Sequence, residues 1–253
     1  MMSDEVTAAV LSLTDIGLRY DTGTQALDGI SLGLRAGEFV SVVGPSGCGK
    51  STLLRLAAGL LAPTDGVVER SSDRIGFVFQ DPTLLPWRTV RRNVELIGEL
   101  EGLSRDEREA RAAKAIRRVG LADFAKHRPG ALSGGMRMRV SLARTLTVQP
   151  DLFLFDEPFG ALDEITRTRL GDDLQALFAA DRFTALFVTH SVAEAVYLAG
   201  RVLVMSDRPG HIVGEVDVPI PYPRPPELRY TAEFAELTAQ VSRMLRAVPE
   251  VRG

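Results

Sequence analysis

The chain has one cysteine, Cys48, in 253 residues. A single thiol cannot close an internal disulfide, so a disulfide-framed scaffold is excluded and a reducing compartment is expected. No apolar run reaches the roughly 18 residues that a membrane helix needs. Work at a membrane would therefore require docking onto a partner that spans it. The opening residues MMSDEVTAAV lack the basic region and apolar core of a secretory leader. Basic charge is not in excess either: 30 Lys and Arg against 33 Asp and Glu leave a formal net charge of −3. Nucleic acid is accordingly not a favoured partner. Internal repeats and low-complexity tracts are absent.

Hydrophobic residues at 45% and charged residues at 25% are ordinary for a globular protein. Five short apolar runs stand out: FVSVV (39–43), IGFVF (75–79), LFLF (152–155), ALFV (185–188) and VLVM (202–205). They barely alternate with polar residues, as strands buried on both faces do, which predicts a largely parallel sheet covered by helices. Helical periodicity places Ala112, Ala115, Ile116 and Val119 on one face, and Leu170, Leu174, Leu177 and Phe178 on another. The fold class is α/β. Residues 11–35 alternate and carry turn signals, predicting a small antiparallel β layer. Residues 88–148 read as a helical insertion. The stretch VPIPYPRPPELR (218–229) is Pro-rich and predicted extended, followed by a helix with Phe234, Leu237, Val241 and Leu245 on one side.

GPSGCGKS, from Gly44 to Ser51, fits G-x-x-x-x-G-K-[ST] between an apolar strand and a helix. Backbone N–H groups of Gly44, Pro45, Ser46, Gly47, Cys48 and Gly49 would line this phosphate cradle wherever an N–H exists, Pro45 having none. Lys50 would reach the β- and γ-phosphates, Ser51 would bind Mg²⁺, and Thr52 adds a further hydroxyl. Cys48 reads as a small filler. A helix start lowers thiol pKa, so alkylation of Cys48 is expected to compete with nucleotide.

LFLFDEP (152–158) is an apolar strand ending in two acids. Adjacent strand residues face opposite ways, which gives Asp156 a metal role near Ser51 and Glu157 the polarisation of an attacking water. His190 ends the strand ALFVT, where it would hydrogen-bond a γ-phosphate. Gln80 ends IGFVFQ, where its amide would sense both Mg²⁺ and the water. Another Gly-rich helix start appears at ALSGGMRMRV, with Ser133, Gly134 and Gly135. It too is suited to an anion.

In this order, Gly44–Ser51, Gln80, LSGGM at 132–136, LFLFDEP, ALD at 161–163 and His190 resemble the motifs of ATP-binding cassette (ABC) ATPases, over about residues 11–215. The resemblance implies a P-loop NTPase, RecA-like core with an N-terminal antiparallel β layer and a helical subdomain near 88–148, followed by 216–253 as a Pro-rich segment and C-terminal helix. It implies ATP hydrolysis with Mg²⁺, and a homodimer or paired cassette in which Ser133, Gly134 and Gly135 of one copy close over the γ-phosphate held by the other. Asp163 would link the two sites, and Tyr20 would stack on adenine. Met136 departs from the Gln commonest in the family. LLPWRTV, the SGGM variant and the stretch from MSDRPGHIV to PYPRP resemble the nitrate/sulfonate/taurine importer subgroup. That likeness implies a permease partner, an indirect periplasmic or lipid-anchored binding protein, and a peripheral place on the cytoplasmic face of the membrane. Leu84, Leu85 and Trp87 offer either packing beneath the helices or a groove for a permease helix. The alternative function is an ABC-type switch acting on nucleic acid or ribosomes, which the single cassette and the lack of a long coiled coil disfavour.

Overall fold

The computed structural model describes residues 9–247. Residues 1–8 of the segment read for a leader lie outside that range. Two sheets organise the rest. In the first, β1 (Ala9–Arg19) runs antiparallel between β2 (Gln25–Arg35) and β4 (Asp65–Arg70). The second contains β3 (Phe39–Val43), β5 (Ile75–Val78), β6 (Leu152–Asp156), β7 (Thr184–Thr189), β8 (Arg201–Met205) and β9 (Ile212–Asp217). Its order is β5-β6-β7-β3-β8-β9, parallel throughout except for β8 against β9. The five parallel strands are the five apolar runs. Phe79 stands outside β5 and is 40% exposed.

These runs do not alternate in polarity, yet they alternate in what they touch. Leu152 and Leu154 of β6 join Val40, Val42, Leu186 and Val188 in a core that also holds the inner residues of β1 and β2. Phe153 and Phe155 point to the opposite face, against Phe39, Phe178, Phe183 and Phe187. The aromatic layer is tightly made: the Phe39 and Phe178 rings meet edge to face with centroids 5.1 Å apart. Between the two sheets lies α1 (Lys50–Ala57), which buries Leu53, Leu54, Leu56 and Ala57.

The helical region comprises α2 (Val90–Val94), α3 (Leu96–Leu100), α4 (Arg105–Arg118) and α5 (Gly134–Leu146). It has its own core, in which Val90, Val94, Ala112, Ala115, Ile116, Val140 and Ala143 meet. Side-chain oxygens of Thr89, Ser104 and Ser133 cap α2, α4 and α5 by accepting from the backbone N–H three residues on. The helix α6 (Glu164–Asp181) connects β6 to β7, and α7 (Val192–Leu198) follows β7.

Two strands escape the sequence pattern, β4 and β9. Both lie at sheet edges and are exposed along much of their length, so neither needs a continuous apolar run. The Pro-rich stretch is also only partly extended: Pro226–Tyr230 coil into a 3-10 turn. Proline at the first turn of a helix gives up no hydrogen bond there and arrives with a helical φ. Just before it, Arg224 is buried beneath α7. Its guanidinium donates to the carbonyls of Val196, Tyr197 and Ala199, each at 2.9 Å, and to Ile220 at 2.8 Å. It thus takes up the carbonyls that a helix end leaves without partners. The described residues end on α8 (Ala232–Ala247), which lays Phe234 and Val241 on the aromatic core, with Leu237, Met244 and Leu245 beside them.

Candidate nucleotide site

Open α/β sheets collect ligands at the carboxyl ends of their strands. Here β3 is followed by the Gly44–Ser51 loop, β6 ends in Asp156, β7 leads to His190, and β5 leads to Gln80. The loop turns on Gly47 at φ 79° and Gly49 at φ 107°, values closed to most side chains. Gly44 is needed for closeness: a Cβ there would fall 2.9 Å from the Cys48 Sγ and 3.0 Å from the Met205 Cβ.

Lys50 is almost wholly buried and folds back over the loop. Its Nζ donates to the carbonyls of Gly44 at 2.9 Å and Pro45 at 2.8 Å, and lies 3.7 Å from Glu157 Oε1. Glu157 turns its other oxygen, Oε2, to His190 Nδ1 at 3.2 Å. One carboxylate therefore bridges the loop lysine and the strand-end histidine. Ser51 Oγ donates to Asp156 Oδ1 at 2.8 Å. Burial pushes the Asp156 carboxyl above its usual range, with the Ser51 hydrogen bond opposing. Gln80 is exposed, and its amide nitrogen converges on the same place: a Cβ added to Gly160 would lie 3.2 Å from Gln80 Nε2 and 3.6 Å from the His190 ring. The Tyr20 hydroxyl hydrogen-bonds Thr52 Oγ1 at 2.9 Å, setting its ring beside the start of α1.

Two expectations need correction. Strand alternation is not what separates Asp156 from Glu157. The strand ends at Asp156, and Glu157 sits beyond it at φ 44°, a left-handed conformation costly for a residue with a side chain. That kink, with the Glu157 N–H on the Val188 carbonyl at 3.0 Å, sends its carboxylate toward Lys50 and His190. The expected low thiol pKa of Cys48 is also overturned. The side chain is fully buried, and burial pushes the thiol up despite the neighbouring Lys50 charge.

Ser133, Gly134 and Gly135 lie in a separate place. Ser133 Oγ accepts from Met136 N at 3.3 Å. A Cβ at Gly134 would stand 3.0 Å from the Leu162 side chain, and one at Gly135 only 2.5 Å from the Thr166 side chain. This segment thus packs on the start of α6. Among the described residues, no hydrogen bond or ion pair joins it to the chain's own phosphate loop. Asp163 caps α6, with Oδ1 accepting from Thr166 N at 2.9 Å and Oδ2 from the Thr166 hydroxyl at 2.7 Å. These bonds hold its carboxyl below the usual range.

Two neighbours were missed from the sequence. Glu194 accepts from the Thr189 hydroxyl at 2.6 Å and faces Arg167 at 3.5 Å. Arg167 donates to the Leu162 carbonyl at 3.0 Å, so the segment before α6 is tied to the helix that follows His190. A signal was present: Ser191 and Glu194 have the S-x-x-E spacing of a capped helix start, and Ser191 Oγ accepts from Glu194 N at 3.3 Å.

Known proteins resemble this chain along most of its length. The ABC transporter family model matches residues 27–160. The aliphatic sulfonates import ATP-binding protein SsuB 1 of Pseudomonas syringae pv. syringae is 48% identical over 217 residues, covering 84% of this chain and 89% of that protein. The bicarbonate transport ATP-binding protein CmpC of Synechocystis is 44% identical over 227 residues, covering 85% of this chain and 33% of the longer relative. Among solved structures, the dimeric MJ0796 ABC transporter cassette superposes with a TM-score of 0.72 at 34% identity, over 82% of this chain and 98% of that one. The fold, the strand-end constellation and these likenesses together make this chain a member of the ABC transporter family, an ATP-binding and ATP-hydrolysing subunit.

Proposed function

We propose that the chain powers an importer of the nitrate/sulfonate/taurine type, hydrolysing ATP between two copies that each supply half of a site. The observation that carries this reading is Glu157, held between Lys50 and His190 beside the Ser51–Asp156 pair. Phosphate oxygens entering the loop draw Lys50 from the Gly44 and Pro45 carbonyls and lie against the inward N–H groups. Glu157, released from Lys50, accepts a proton from the attacking water, while His190 orients that water and the γ-phosphate. Gln80, whose amide lies beside Gly160, would contact both.

Mg²⁺ fits this site. Ser51 and Asp156 offer hard oxygens 2.8 Å apart, and a cation would offset the burial of the Asp156 charge. Gln80 would add its amide oxygen on a flip of the amide, whose nitrogen faces the site here. When bound, the ion neutralises charge on the β- and γ-phosphates.

The second half of the site is the Ser133–Gly135 helix start. It packs away from its own loop, leaving a hydroxyl and backbone N–H groups for the nucleotide of a second copy. The solved MJ0796 cassette is a dimer, which supports this pairing. For the permease, the surface carries a groove of about 640 Å³ that includes Phe77, Phe79, Leu96, Ile97 and Leu103. Trp87, 68% exposed, stands on the same helical region, whereas Leu84 packs partly into its core. A short cytoplasmic helix of the membrane subunit lies there, and the binding protein acts through that subunit. Among the described residues no helix is long and apolar enough to cross a membrane, in keeping with peripheral attachment at the cytoplasmic face.

The test is phosphate release against subunit concentration, alone and with the permease and binding protein in vesicles. Activity per subunit should rise with concentration, and an aliphatic sulfonate, taurine or nitrate should stimulate the reconstituted complex. Constant activity per subunit at every dilution sinks the paired site. Stimulation by none of these anions sinks the subgroup.

A further inference from the structure

We propose that the Ser206–His211 loop is a brace that presets the phosphate loop for nucleotide, with Arg208 as its positioning residue. The inference rests on reading Gly44–Ser51 as the nucleotide cradle. The segment SDRPGH connects β8 to β9 and passes along the outside of that cradle. Arg208 donates twice to a single acceptor, the Gly47 carbonyl: Nε at 3.1 Å and Nη2 at 2.8 Å. Gly210 abuts the next carbonyl so closely that a Cβ would lie 2.1 Å from the Cys48 oxygen. The loop touches two successive peptide units of the cradle.

The loop itself is held firmly. Gly210 N donates to the Ala26 carbonyl at 2.9 Å and its carbonyl accepts from Asp28 N at 3.0 Å, which pegs it to β2. Ser206 Oγ donates to the Asp207 carbonyl at 2.7 Å and accepts from His211 N at 2.9 Å. Asp207 Oδ1 accepts from Arg208 N at 2.8 Å. His211 is part of this frame, its ring Nδ1 lying 2.8 Å from Ser206 Oγ.

The consequence follows from peptide geometry. A trans peptide is planar, and its C=O and N–H face opposite ways. By drawing the Gly47 carbonyl outward, Arg208 turns the Cys48 N–H inward. That N–H lies 3.5 Å from the Pro45 carbonyl, the same oxygen that receives Lys50 Nζ at 2.8 Å. A contact of 3.5 Å is at the limit of a hydrogen bond, so this donor is easily given to a phosphate oxygen. Gly47, at φ 79°, has the freedom to swing its peptide if the guanidinium is removed. Binding must then order the donor first, which weakens every nucleotide that uses it. ADP and ATP present the same β-phosphate and are affected alike.

The experiment compares wild type with Arg208→Ala and Arg208→Lys. ADP and a non-hydrolysable ATP analogue are titrated by calorimetry, and steady-state hydrolysis is measured alongside. Arg208→Ala should weaken both nucleotides about tenfold, the scale of one charge-assisted hydrogen bond. The loss should fall on KM rather than kcat, and Arg208→Lys, with one donor reaching the carbonyl, should recover part of it. Arg208 is exposed, so the nucleotide-free melting temperature should stay within about 2 °C of wild type. Unchanged affinity for both nucleotides overturns the brace. Loss for the ATP analogue alone also overturns it, because Arg208 would then touch the γ-phosphate directly. Wild type that binds neither nucleotide overturns the cradle reading and the brace with it.

Discussion

Ser51 and Asp156 are 105 residues apart in sequence, and the hydroxyl of one donates to the carboxylate of the other at 2.8 Å. This bond closes the gap between β3 and β6, strands that are not neighbours in the sheet: β7 lies between them. Asp156 is held there although burial disfavours its charge.

The sign of that burial gives a first prediction. A carboxyl whose folded-state pKa is raised destabilises the fold while it is ionised. The penalty is full above the folded pKa and fades as pH falls toward the unfolded value. Asp156→Asn should raise the nucleotide-free melting temperature at pH 7.5 by ~2 °C, the scale expected for a change of roughly 1 kcal/mol in a chain of this size. The gain should shrink on acidification. The same variant should lose the effect of Mg²⁺ on ATP affinity. Calorimetric melting from pH 4.5 to 8, with and without nucleotide and Mg²⁺, checks both halves.

Glu157→Gln keeps the shape that bridges Lys50 and His190 but removes the base. Hydrolysis should fall at least about 100-fold, within the range for a lost general base, while ATP binding persists. The trapped nucleotide should leave a two-copy species on gel filtration. Hydrolysis at the wild-type rate removes Glu157 from the role assigned above.

Ser133→Arg puts a large cation where the paired cassette would close. Phosphate release should drop about 100-fold, comparable to losing a transition-state hydrogen bond donor. ADP binding by the dilute single subunit should persist, since Ser133 does not reach its own phosphate loop. Equal loss of binding and hydrolysis would remove the cross-copy assignment.

Cys48 is buried and its thiol is pushed up. Iodoacetamide at pH 7.5 should therefore modify the folded protein at least about tenfold more slowly than the urea-unfolded chain, whose thiol has an ordinary pKa. Adding MgATP should slow the folded-state reaction only by stabilising the fold. Fast labelling of native protein, blocked by nucleotide, would restore the reactive-thiol expectation.

The parallel strands were legible because burial on both faces demands continuous apolar runs, and FVSVV and LFLF have them. The edge strands β4 and β9 face water and carry no such mark. The phosphate loop could be read from its glycines and Lys50, since the backbone geometry requires those residue types at those positions. The course of Glu157 could not, because its direction depends on a left-handed backbone that residue identity alone does not announce. Arg208 and Arg167 were equally silent. Each acts by donating to a main-chain carbonyl, and a carbonyl looks the same at every position of a sequence.

Arg224 carries a consequence for synthesis. The carbonyl of Ala199 waits 25 residues for the guanidinium that receives it. On a ribosome the phosphate loop, both acids and His190 all emerge before that arginine does. The helix behind His190 therefore remains open at its far end until Arg224 has emerged. A segment made after every residue of the nucleotide site thus closes the far end of the helix that follows the histidine.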